Sequence, residues 1–147
     1  MKQVIILIVL LAGVLCNVGA QDRPHHTYTS TTKSDVIKTF ITQMYNNKLY
    51  EDYDFLRKHC SAELLKKLQD AYPYDTDDIA YATWLFRSGQ QDSRPGADDK
   101  TIVLKIKADG DWFVYTALDM GWKFTNRIKV SNKDGKIVIE DICEVKD

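Results

Sequence analysis

The first half of the chain carries apolar residues at helical spacing. Between residues 34 and 45 they recur three and four positions apart, with Ser34 as the predicted N-cap residue. A second, shorter helix is predicted over about residues 50–58. Ser61 is predicted to cap a third helix, which Pro73 stops. The pattern therefore predicts three consecutive helices whose apolar faces pack into a core.

In the second half the period changes to two, which is typical of an antiparallel sheet with one face in water. Ile102, Leu104 and Ile106 share one side of the first predicted strand. Four strands separated by glycine-containing turns are predicted, at about residues 102–107, 112–118, 122–130 and 136–145. Helices followed by such a meander predict an α+β fold, with N-terminal helices packed on a curved antiparallel sheet of about four strands. A cone of this kind has an open mouth, where ligand pockets often lie.

The N-terminus predicts export. Residues 1–20 combine a positive start, an apolar run and small residues before Gln21, which is the pattern of a cleavable signal peptide. The run is shorter than the roughly 20 residues that a stable membrane span needs. A lipoprotein acylated on Cys16 is disfavoured, because Leu15 stands where lipoprotein signals have a small residue. We expect a periplasmic or extracellular protein, with a flexible leader over residues 21–33 and a single domain over residues 34–147.

The composition of the chain argues against one class of binding partner. The chain has 20 basic and 21 acidic side chains and no basic stripe interleaved with aromatic residues, which argues against nucleic acid as a partner. Cleavage after Ala20 would leave two cysteines, Cys60 and Cys143. In an oxidising compartment these two could form one disulfide, provided that the fold brings them within bonding distance.

The order of elements resembles the nuclear-transport-factor-2-like, or cystatin-like, α+β cone. The stretch from Asp77 to Asp92, DDIAYATWLFRSGQQD, together with the later Asp119-Met120-Gly121, also resembles a family of small exported bacterial proteins of unknown function, common in gut Bacteroidetes. In that family an acid before an apolar segment ending in Gln-Asp recurs. The resemblance implies a fold and a compartment, and it brings no catalytic residue and no cofactor.

Asp141 is the first candidate for chemistry. In regular alternation it shares the more apolar face of the last strand with Ile137, Ile139, Cys143 and Val145. Burial would raise the pKa of such a carboxyl, as a general acid or base near neutral pH requires. The alternatives are an acid at a strand end, a bulge that reverses the alternation, or a structural hydrogen bond to tyrosine or tryptophan.

Asp119 is the second candidate acid and could pair with Asp141 at the mouth of the cone. Alternatively it serves the turn before Gly121, because aspartate side chains satisfy turn amides. Further acids lie close together at Asp75, Asp77 and Asp78, but their spacing does not match a calcium-binding loop and indicates a solvated acidic loop. We predict no metal and no cofactor.

Aromatic residues flank that acidic loop and could form a platform for a sugar ring or a peptide, or simply fill the core. The candidate ligand-binding residues are Tyr74, Tyr81, Trp84, Phe86 and Tyr115. No sequence motif for nucleotide chemistry or zinc hydrolysis occurs.

Three hypotheses follow. The favoured one is an exported, non-enzymatic module that binds a small molecule, a glycan or a peptide. The second is an enzyme of the isomerase or hydrolase kind that uses Asp141 with Asp119. The third is a structural domain that forms a homodimer through its sheet.

Overall fold

The structure is a computed structural model that describes residues 31–75 and 78–145. The expected signal peptide, residues 1–20, lies outside the described residues, as does most of the expected leader, residues 21–33. The described helices include none that is long and apolar enough to cross a membrane.

Three α-helices precede the sheet. α1 spans Lys33–Asn46, α2 spans Tyr53–His59 and α3 spans Ala62–Asp70. The predicted second helix is split, since Leu49–Glu51 forms a short 3-10 helix and Asp52 caps α2 by accepting a hydrogen bond from the Phe55 amide. The prediction of three helical segments is confirmed.

Side-chain caps fix where the helices begin. Thr32 caps α1 in place of the predicted Ser34, so the helix starts one residue inside the expected leader. The Thr32 hydroxyl accepts from the Asp35 amide, and the Asp35 carboxylate accepts from the Thr32 amide. This reciprocal pair satisfies two N-terminal amides at once, which Ser34 does not. Ser61 caps α3 as predicted, through the Leu64 amide at 3.1 Å.

The second half forms one four-stranded antiparallel sheet in the order β1-β2-β3-β4. Its strands are β1 (Thr101–Asp109), β2 (Trp112–Asp119), β3 (Trp122–Lys133) and β4 (Lys136–Glu144). The α+β class and the four antiparallel strands are therefore confirmed. The turn between β2 and β3 requires its glycine, because Gly121 has a φ of 81° and an added Cβ would lie 2.5 Å from the Ala97 Cβ.

Two bulges, one in β1 and one in β4, interrupt the expected alternation of side chains between the two sides of the sheet. In β1, Val103 pairs with Ala117 and Lys105 with Thr116, so Leu104 is the extra residue. Ile102 and Leu104 are consequently about half exposed, while Val103 is buried. The prediction that Ile102, Leu104 and Ile106 share one side is wrong, because the bulge changes the side of the sheet that successive residues face.

The core lies between α1 and the side of the sheet that faces the helices, called here the inner side. Ile37, Phe40, Ile41 and Met44 of α1 are at most 1% exposed. The chain between α2 and α3 extends the sheet at its β4 edge, where Cys60 forms a bridge with Ile139 and the Ser61 amide donates to the Ile139 carbonyl. The helices are thereby tied to both edges of the sheet, since α1 also lies along β1.

Candidate functional site

A 3-10 helix at Thr83–Phe86, absent from the sequence-based expectations, lies at the centre of the candidate site. Buried polar side chains hold its backbone. The Tyr45 hydroxyl donates to the Thr83 carbonyl, the Tyr115 hydroxyl donates to that of Phe86, and the Asn126 amide donates to that of Leu85. Burial raises the pKa of Tyr45 and of Tyr115, so both hydroxyls keep the proton that they donate.

The second residue of this short helix, Trp84, is 37% exposed. Its ring lies 5.4 Å from that of Tyr72 and 6.4 Å from that of Tyr74, which is 64% exposed. We call Tyr72, Tyr74 and Trp84 the aromatic cluster. Large aromatic side chains held at the surface of a rigid element offer a preformed contact area for a ligand.

Two clefts meet at Trp84. The tyrosine cleft, of about 420 Å³, is lined by Trp84 with Tyr50, Tyr53, Tyr72 and Tyr81. The glutamine cleft, of about 580 Å³, is lined by Trp84 with Tyr74, Arg87, Gln90 and Gln91. Both volumes fall in the range of small-molecule sites, and each cleft combines aromatic surface with polar groups.

Arg87, one residue beyond the 3-10 helix, is anchored from behind by Asp119. Its Nε lies 3.0 Å from Asp119 Oδ2 and its Nη2 lies 2.8 Å from Oδ1, so the guanidinium binds the carboxylate through two parallel hydrogen bonds. The guanidinium carbon also lies 4.5 Å from the centre of the Tyr45 ring. Arg87 is thus fixed at the wall of the glutamine cleft, with its side chain 25% exposed.

Asp119 itself is fully buried and accepts two further hydrogen bonds, from Thr101 at 2.9 Å and from Ser88 at 3.0 Å. Burial alone would raise the pKa of this carboxyl. The hydrogen bonds and charge of Arg87, together with the two hydroxyls, outweigh burial and hold the pKa below its usual value. Asp119 is therefore ionised and saturated with donors, an arrangement suited to positioning Arg87 and unsuited to taking up a proton.

Asp141 lies elsewhere, on the outer side of β4, where it contacts α3. Ile139 pairs with Val130 and Asp141 with Lys129, so Glu140 is an extra residue that reverses the alternation. The expectation that Asp141 shares a face with Ile139 inside the cone is wrong. The alternative of a reversing bulge is what the structure shows. The Asp141 carboxylate is 36% exposed and lies 2.6 Å from Lys67 Nζ.

The predicted ligand-binding aromatics separate into two groups. Tyr74 and Trp84 are exposed, and Tyr81 is half-buried against Tyr53 and lines the tyrosine cleft. Phe86 and Tyr115 are completely buried, so the expectation that they contact a ligand is corrected. The Phe86 ring packs against that of Phe40 in the core, and Tyr115 supports the 3-10 helix from inside.

Two further expectations concern the pairing of the cysteines and the binding of a metal ion. Cys60 and Cys143 are both free thiols, which corrects the suggested disulfide. Cys143 pairs with Arg127 on the outer side of the sheet, whereas Cys60 is buried beneath the helices, and burial raises its pKa to about 12. Across residues 31–75 and 78–145, no group of three or more His, Cys, Asp or Glu side chains could hold a metal ion.

Sequence reasoning missed Arg87, Tyr45 and Asn126. Arg87 lies in the Asp77–Asp92 stretch quoted above. An arginine directly after an aromatic segment is a signal by which the sequence could have identified it. Tyr45 and Asn126 gave none, since each contacts a 3-10 helix that lies far away along the chain.

Comparison with known proteins gives one similar structure. No protein-family model matches the chain, and no curated protein gives a significant match. A crystal structure of a protein of unknown function from Bacteroides thetaiotaomicron VPI-5482 is similar over 73% of this chain and 85% of that chain, with a TM-score of 0.49 and 17% sequence identity.

Proposed function

We propose that this protein is an exported, non-enzymatic binding module, and that the two clefts at Trp84 take a glycan. The observation that carries the proposal is the preorganised position of Trp84. It stands exposed on a 3-10 helix whose other three carbonyls are all bound by buried side chains. Export rests on the sequence of residues 1–20.

A glycan suits the chemistry of these clefts better than an apolar small molecule. A sugar ring has an apolar C–H face, which packs on an aromatic ring, and a rim of hydroxyls, which need paired donors and acceptors. The aromatic cluster supplies the first, and Arg87, Gln90 and Gln91 supply the second at the same cleft. Because Asp119 holds Arg87 in place, its ordering adds little to the entropic cost of binding.

The competing hypotheses have less support. An isomerase or hydrolase using Asp119 with Asp141 needs both acids at one pocket, yet Asp119 is saturated by four hydrogen bonds and Asp141 is on the outer side. Dimerisation through the sheet could use exposed Ile102 and Leu104. However, Lys105 and Lys107 stand beside them in β1, and their charges would repel those of a second copy.

The test is binding of the protein from Gln21 onward to an array of neutral and acidic oligosaccharides, followed by calorimetric titration of the strongest binder. Because Trp84 is the shared wall of both clefts, we expect Trp84→Ala to weaken that binding about tenfold or more. Trp112→Ala is the matched control, since Trp112 is a partly buried tryptophan at the start of β2 that lines neither cleft. Absence of binding across the array, or equal losses in the two variants, would contradict the proposal.

A further inference from the structure

A third cleft, of about 620 Å³, lies away from Trp84, between α1, the end of α2 and the hairpin that joins β3 to β4. We call it the His59 cleft. Its floor is apolar, because Phe40 is buried and Val36 and Ile137 are half-buried. The exposed side chains of Lys58 and Lys136 stand at its rim.

His59 is held rigidly in the wall of this cleft. Its ring lies 4.5 Å from that of Phe55 and 5.7 Å from that of Phe40. The Nδ1 atom lies 2.8 Å from the Phe55 carbonyl, which can only accept, so Nδ1 carries a proton and donates it. The other ring nitrogen, Nε2, has no hydrogen-bond partner among the described residues, and the ring forms a fixed part of the cleft wall.

The charges at the cleft have one sign. Two lysines line it, and of the acidic side chains in residues 31–75 and 78–145 none does. An apolar floor beneath a basic rim complements a molecule that has an apolar tail and an anionic head. A neutral or cationic amphiphile would leave the rim without a counter-charge.

We propose that the His59 cleft is a binding site for a monomeric amphiphilic anion, a carboxylate with an aliphatic tail. The tail packs on Val36, Phe40 and Ile137, and the carboxylate lies between Lys58 and Lys136. The His59 cleft shares no lining residue with the two clefts at Trp84, so this proposal stands independently of glycan binding there.

Calorimetric titration of the protein from Gln21 onward with sodium octanoate below its micellar concentration tests the site. We expect saturable binding with a stoichiometry of about one, and binding of octan-1-ol weaker by about tenfold because the alcohol lacks the charge. Octylammonium chloride should bind no better than the alcohol. No heat of binding with octanoate, or equal affinity for octanoate and octanol, would overturn the proposal.

Variants of the two lysines at the rim test whether octanoate binds in the His59 cleft. In the double variant Lys58→Gln/Lys136→Gln, octanoate affinity should fall about tenfold, since both charges at the rim are removed. Lys105→Gln/Lys107→Gln removes the same charge from exposed positions of β1 that do not line the cleft, and it should bind as the wild type does. Equal effects of the two double variants would show that only net charge matters and would overturn the assignment.

A third variant tests the apolar part of the cleft. Thr39 is exposed and lines the cleft, so Thr39→Trp fills it without disturbing a buried side chain. We expect octanoate binding to be lost while the thermal unfolding midpoint stays within a few degrees of the wild type. Unchanged binding in a folded Thr39→Trp protein would place octanoate elsewhere and contradict the proposal.

Discussion

The end of β2 and the outer side of β4 each carry an aspartate that pairs with a basic side chain, and the two pairs differ in nearly every other respect. Asp119 is fully buried, binds Arg87 through two hydrogen bonds and accepts from Thr101 and Ser88. Asp141 is 36% exposed and binds Lys67, whose side chain is 46% exposed. The first pair holds a wall of the glutamine cleft, and the second joins α3 to the sheet in contact with water.

The comparison of the two pairs shows that burial by itself does not make a carboxyl group reactive. Burial raises the pKa of an acid only when nothing compensates for lost hydration, and at Asp119 the guanidinium and two hydroxyls overcompensate. A buried acid with a lowered pKa is a fixed negative charge. Its function here is to keep Arg87 in place beside Trp84.

Removing Arg87 should have the largest effect on stability. In Arg87→Met the buried Asp119 carboxylate keeps only its two hydroxyl donors, so we expect the free energy of unfolding to fall by about 3 kcal/mol, as when one partner of a buried pair is removed. Urea denaturation monitored by tryptophan fluorescence measures this loss.

Arg127→Met is the matched control. Arg127 also binds a carboxylate at 2.8 Å, that of Asp109, and its guanidinium carbon also lies over an aromatic ring, that of Trp112. Both members of this second pair are substantially exposed, so we expect a loss below about 1 kcal/mol. Equal losses in the two variants would break the distinction between the buried and the exposed pair.

A smaller effect should appear in the dependence of stability on pH. The folded-state pKa of Asp119 lies below its unfolded value of about 3.9, so ionised Asp119 stabilises the fold above that value. This contribution is lost as the pH falls through the folded-state pKa. In Asp119→Asn, the free energy of unfolding should therefore decline less steeply below about pH 4 than in the wild type.

Urea denaturation at a series of pH values between neutrality and about pH 2 measures that slope. Some dependence should remain in Asp119→Asn, because the pKa values of Asp35, Glu63 and Glu140 are also lowered by hydrogen bonds that those carboxylates accept. Identical slopes in the two proteins would mean that Asp119 is not the buried, compensated charge described above.

Much of the fold follows from local sequence. Ser61 predicted the start of α3, and the change of period after residue 101 predicted four strands, because capping and alternation are encoded by neighbouring residues. The bulges at Leu104 and Glu140 could not be predicted in this way. Whether a strand admits an extra residue depends on what its partner strand and the helices above it accept. Each bulge changed the side of the sheet that neighbouring residues face, and the one at Glu140 moved the candidate Asp141 to the outer side.

The candidate site was predictable only in its exposed part. The sequence indicates Tyr74 and Trp84 as aromatic residues beside an acidic loop, and the structure leaves both exposed. The rigid support depends on Tyr45, Tyr115 and Asn126, which come from α1, β2 and β3 and meet only in the folded chain. Non-local hydrogen bonds of this kind have no periodicity that a sequence could reveal.

The smallest effect should come from Asp141. In Asp141→Asn the exposed pair with Lys67 loses its charge attraction, but solvent already screens it, so we expect stability to change by less than about 0.5 kcal/mol. The same variant should bind the strongest glycan from the array as tightly as the wild type, because Asp141 lines neither cleft at Trp84. Denaturation and calorimetry on one preparation check both expectations. A loss of glycan binding in the folded Asp141→Asn protein would show that Asp141 takes part in binding, and it would contradict the roles assigned to the two aspartates.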